Sequence, residues 1–98
     1  MVAKNIKQGQ LFLTVSSWEA FHMFKNPHGI WVPKQHEEPR YLIHPHSNII
    51  KSTIPSGTPA MYIGTDGRPH VGVFLVADIF LELPYSILKE IEEIYDNS

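Results

Sequence analysis

Apolar residues in this chain fall in short runs separated by turn-forming residues. Leu11-Phe12-Leu13-Thr14-Val15 is the first run, and it carries the β-branched and aromatic residues that suit a pleated surface. Ile30-Trp31-Val32, Arg40-Tyr41-Leu42-Ile43 and Ala60-Met61-Tyr62-Ile63 follow, then Val71 to Leu75 and Ile79 to Leu83. Each run is too short for a helix of ordinary length, and Gly, Pro, Asn or Asp stands between most of them. The pattern predicts a mainly β chain.

The stretch from Ile54 to Leu83 is the centre of that reading. Pro55 and Gly57 mark a turn, with Gly57 free to take positive φ. Asp66-Gly67 signals a hairpin between strands 60–63 and 71–75, and Ala77-Asp78 is a weaker break before 79–83. Three strands joined this way make a meander. Val73 to Val76 is apolar at four consecutive positions, which predicts a strand covered on both faces or lying at a dimer contact.

Two segments stand apart from the meander. Trp18, Phe21 and Phe24 recur at spacing three after Ser16-Ser17, which fits either a short capped helix or a looped excursion. Near the end, Ile87, Leu88, Ile91, Ile94 and Tyr95 follow the i, i+4, i+7 rule, with Lys89, Glu90, Glu92 and Glu93 opposite. With Pro84 in a first turn, this predicts an amphipathic C-terminal helix over about residues 84–95. The expectation is one small β domain spanning residues 1–98, a barrel or meander with a long N-terminal excursion.

A family resemblance follows from this order. Lys7-Gln8-Gly9-Gln10-Leu11, a long variable excursion, Ile54-Pro55-Ser56-Gly57-Thr58, then hairpin-linked strands ending in Leu83-Pro84-Tyr85 resemble SH3-like small β-barrels. The excursion takes the place of the RT-type loop, and the resemblance covers about half the chain. It implies a barrel and a binding function. The chain lacks the acidic loop and paired tryptophans of signalling SH3 domains, so no binding residues carry over from them.

Composition narrows the chemistry. Apolar residues make up 43% and charged residues 18% of 98 residues, a balance that favours a packed core over disorder. There is no cysteine, which removes disulfides, thiol nucleophiles and thiolate zinc sites, and agrees with a cytoplasmic setting. No charged start precedes an apolar stretch, and no run approaches a membrane span. Formal net charge is -2. The acidic excess falls wholly after position 81, where Glu82, Glu90, Glu92, Glu93 and Asp96 are offset by Lys89 alone, and the preceding residues are slightly basic. Such a chain lacks the basic stripe of most nucleic-acid binders.

The candidate functional residues are aromatic and basic side chains of the excursion. Trp18, Phe21, Trp31, Arg40 and Tyr41 offer large amphipathic surfaces of the kind favoured at protein interfaces. They point to a non-enzymatic protein-binding module: an adaptor, an assembly subunit or an inhibitor of another macromolecule, by analogy with compact phage and mobile-element domains. The expected partner is a protein or a second copy of the chain, with no cofactor. A rival reading, a His-ligated metal-binding protein or hydrolase, takes His44 and His46, whose imidazoles share a side of an extended segment, with His36, His28 or His70 as a third metal ligand. Against it stands the lack of any HExxH pair. A further rival stacks single-stranded bases on the aromatics beside Lys25, Lys34 and Arg40. No nucleophile elbow, phosphate loop or paired carboxylates at a glycosidase spacing are present.

Overall fold

The computed structural model describes residues 6–36 and 48–91. Nine strands appear among them: β1 Leu11–Thr14, β2 Trp18–Phe21, β3 Met23–Lys25, β4 Trp31–Pro33, β5 Lys51–Ile54, β6 Pro59–Gly64, β7 Val71–Val76, β8 Ile79–Pro84 and β9 Leu88–Glu90. One 3-10 turn, Tyr85–Ile87, precedes β9. Five strands form one antiparallel sheet in the order β8-β7-β6-β1-β9. The central meander is therefore present as β6, β7 and β8, and β1 lies between it and the last strand.

The two turns of the meander exchange the roles their sequences suggested. Asp66-Gly67 lies within a broader loop, Thr65 to His70, where the Asp66 carboxylate accepts from the Arg68 N–H at 3.1 Å. The tight hairpin is Ala77-Asp78, flanked directly by the pair Val76–Ile79. Ala77 has φ 49°, the positive value that primed hairpin turns require at their first position.

Both faces of β7 are covered, as its continuous apolar run predicts. Val73 and Phe74 are successive, so they point to opposite sides, and both are fully buried. On the Phe74 side lies the main core, with Phe12, Ala20, Ile54, Ala60, Leu81, Leu83, Tyr85, Ile87 and Leu88. Phe74 meets Phe12 and Tyr62 edge-on, with ring centroids 5.8 and 5.4 Å apart. On the Val73 side lies Trp31. Its ring is 5.0 Å from that of Phe80, and its Nε1 is the nearest side-chain atom over Gly64. Gly64 and Phe80 are the cross-strand neighbours of Val73 and Leu75, so Trp31 caps that second face.

The excursion between β1 and β6 is built on a branch point. His22 N–H donates to Ile50 O at 2.9 Å, Ile50 N–H to Lys34 O at 2.9 Å, and Lys34 N–H to His22 O at 2.7 Å. These three bonds close a ring. Three antiparallel arms leave it: β2 with β5, β3 with β4, and the pair Gln35–Ile49. Neither a helix nor a loose loop forms over Trp18–Phe24, because pairing with β5 and β4 satisfies that backbone in extended form.

Two expectations are corrected here. First, the sheet does not close into a barrel. Among the described residues the outer side of β8 pairs with the excursion through a single backbone bridge, His22–Leu81, and does not pair with the opposite end of the sheet. A closed barrel needs a continuous ladder at that seam. Second, no helix occupies the described part of residues 84–95. Pro84 ends β8, Tyr85–Ile87 turn, and Leu88–Glu90 pair with β1, Leu88 opposite Thr14. Pairing the outer edge of β1 outweighs local helix preference, and Ile87 and Leu88 still reach the core from this turn and strand. Residues 92–95 of the expected helix lie outside the described residues, as does the expected strand 40–43.

Candidate binding groove

The ends of β7 and β8, the β6–β7 loop and β2 enclose a groove of about 210 Å³. Trp18, Glu19 and Phe21 line it from β2. Arg68 lines it from the β6–β7 loop, and Val71, Glu82 and Pro84 from the sheet. Alternation along β7 and β8 sets this lining. Val71 pairs with Pro84 and Val73 with Glu82, so all four lie on the same face of the sheet, and only the first pair and Glu82 reach the open end. The bridge from His22 to Leu81 holds β2 alongside β8.

Trp18 is 42% exposed, a large aromatic ring left in contact with solvent, and Phe21 is half-buried. Lys51 sits at the outer side of β2, its Nζ 3.9 Å from the Glu19 carboxylate and 5.6 Å from the centre of the Phe21 ring.

The electrostatic centre of the groove is Glu82. Its side chain is 9% exposed, and its Oε1 accepts from Arg68 Nη1 at 3.0 Å. Even so, its pKa is pushed up to about 7. Burial is the largest cause, since a carboxylate loses hydration there. The Asp66 carboxylate adds to it, accepting a hydrogen bond from the protonated Glu82 carboxyl and repelling the ionised form. The Arg68 guanidinium opposes both and is outweighed. Behind Asp66, Tyr85 is held above the usual phenol range by burial, then by the Tyr62 hydroxyl and by Asp66. At the branch point, His22 Nε2 lies 2.6 Å from Ser52 Oγ. Burial and the nearby Lys34 lower its pKa.

The residues singled out from sequence are distributed as follows. Trp18 and Phe21 come together in the groove. Trp31 lies elsewhere, packed on Phe80 with Lys25 Nζ 5.9 Å from its ring centre. Arg40 and Tyr41 lie outside the described residues, as do His44 and His46. His36 is half-buried, with its backbone N–H on Asn48 O. Among the described residues no three His, Cys, Asp or Glu side chains are placed to hold a metal ion. Sequence reasoning missed Glu82, Asp66 and Arg68. The one available signal was an acid inside an otherwise apolar strand, Phe80-Leu81-Glu82-Leu83, where a buried charge demands a partner.

No protein-family model matches this chain, and no curated protein or solved structure matches it. Among the described residues no helix is long and apolar enough to cross a membrane.

Proposed function

We propose that this chain is a non-enzymatic protein-binding module on an SH3-like plan, and that the groove beside β2 is its contact surface. The plan is supported by the strand order: β1 lies between β6 and β9, a long excursion follows β1, and a 3-10 turn precedes β9. The observation that carries the binding reading is an open groove with an exposed Trp18 and a half-buried Phe21 as its apolar walls. Exposed tryptophan beside a concave surface is the usual anchor for a partner side chain. The acids Glu19 and Glu82 in the lining disfavour a nucleic-acid backbone there.

Selection of a displayed random-peptide library on the full chain tests this. Selected peptides should bind with Trp18 indole shifts, and Trp18→Ala should weaken them by about tenfold or more. The exposed position of Trp18 keeps its loss from the core, so the melting temperature should move little. Peptides that bind Trp18→Ala as well as wild type would place the contact surface elsewhere.

A further inference from the structure

We propose that the groove receives a cationic side chain, a lysine or arginine of the partner, which takes the place of a proton on Glu82. This deepens the binding-module reading and rests on it.

Size is the first argument. A groove of about 210 Å³ falls below the roughly 300–1,000 Å³ of pockets for drug-sized ligands. It has room for one long side chain. Wall chemistry is the second. Trp18 and Phe21 line the groove, and aromatic faces attract a guanidinium or ammonium group, as Lys51 Nζ already does over the Phe21 ring at 5.6 Å.

Charge is the third and decides the sign of the ligand. The groups facing Glu82 are Asp66 and Arg68 from the β6–β7 loop and Glu19 from β2. Glu19 has Lys51 of β5 beside it. That leaves two carboxylates, Glu82 and Asp66, sharing one guanidinium from Arg68. When Glu82 is ionised the cluster is one positive charge short of balance. A proton shared with Asp66 supplies it when the groove is empty. A partner cation entering between Trp18 and Phe21 supplies the same charge from the solvent side. The Arg68 side chain is 63% exposed, so it can shift toward Asp66 without leaving the core open. Proton and cation thus compete for one place, and binding must release a proton.

The probes are two blocked pentapeptides, Gly-Gly-Xaa-Gly-Gly, with arginine or its neutral isostere citrulline at the centre. Binding to the full chain is followed by NMR at the Trp18 indole and the loop amides of residues 65–70. The arginine peptide should bind more tightly than the citrulline peptide. Its affinity should rise about tenfold between pH 6 and pH 8, as Glu82 gives up its proton near pH 7. Glu82→Gln should remove both the preference and the pH dependence. That variant keeps the shape of the protonated side chain and leaves the imidazoles of His22 and His70 in place, so it separates Glu82 from them. Equal binding of the two peptides, or a pH profile that persists in Glu82→Gln, would overturn the cation site. So would no response to the arginine peptide. In each of these cases a library-selected peptide that still binds through Trp18 would preserve the binding-module reading, and loss of that too would end both.

Discussion

Thr14 shows how much one polar side chain holds in this fold. It is buried, and its hydroxyl donates to Pro55 O at 2.9 Å while accepting from the Thr58 N–H at 2.9 Å. Its backbone N–H donates to Thr58 O, and its carbonyl accepts from the Gly57 N–H. One residue of β1 therefore fastens the turn that returns the chain from the excursion to β6. Thr14→Val keeps the shape and removes both hydroxyl bonds, leaving the Thr58 N–H without its acceptor. We expect a loss of about 1–3 kcal/mol in denaturant unfolding. Nothing in the sequence marks Thr14, because a threonine in a β-run is ordinary, and its partners lie about forty positions away.

At the scale of elements, the turn of β7 into β8 carries a small fault. Ala77 takes a positive φ that its Cβ resists. Ala77→Gly removes the clash, at the cost of greater freedom in the unfolded chain. The net expectation is a gain of up to about 1 kcal/mol, read as a higher urea midpoint with an unchanged slope. Asp66-Gly67 has the stronger hairpin signature and yet forms the broader loop. There the side chains of Asp66 and Thr65 bond to loop N–H groups and spread the connection over more residues. The meander itself was legible in Ala60–Leu83, because alternation and turns act locally. The β2–β5 ladder was not, since its register depends on residues some thirty positions apart. The same limit hid β9. Its apolar spacing satisfies a helix as well as a turn plus strand, and only the open edge of β1 decides between them.

For the whole molecule, two titrating groups set opposed trends with pH. Glu82 is raised from 4.5 to about 7, so between those values the folded chain holds a proton that the unfolded chain has lost. Its contribution is complete below pH 4.5 and fades as pH rises through about 7. His22 is lowered from 6.5, so its contribution is complete above pH 6.5 and fades as pH falls below that value. Glu82→Gln should therefore be more stable than wild type above pH 7, by an amount on the order of 1 kcal/mol because the groove opens to solvent. It should also expose the acid-side loss that His22 causes, visible as a melting temperature that falls from pH 7 to pH 5. A variant that tracks wild type across the whole range would show that Glu82 titrates normally in the folded chain. The groove was half legible from sequence. Trp18 and Phe21 announce themselves as aromatics, whereas Glu82 becomes chemically distinctive only when β2 and the β6–β7 loop close around it.

The ring of three backbone bonds at His22, Lys34 and Ile50 makes the excursion a branched ladder, in the way a three-way junction branches a nucleic-acid duplex. One arm is the stem that ties it to the sheet, and another, β3 with β4, ends in the Asn26–Ile30 turn. Such a branch point separates length from position. Residues can be added at Asn26–Gly29 without moving His22, Lys34 or Ile50, because the change does not alter the ring. The groove wall on β2 lies on the stem side of the branch and would keep its place. The excursion is thus a scaffold on which the β3–β4 tip can vary in length and sequence while the proposed binding surface stays registered to β8.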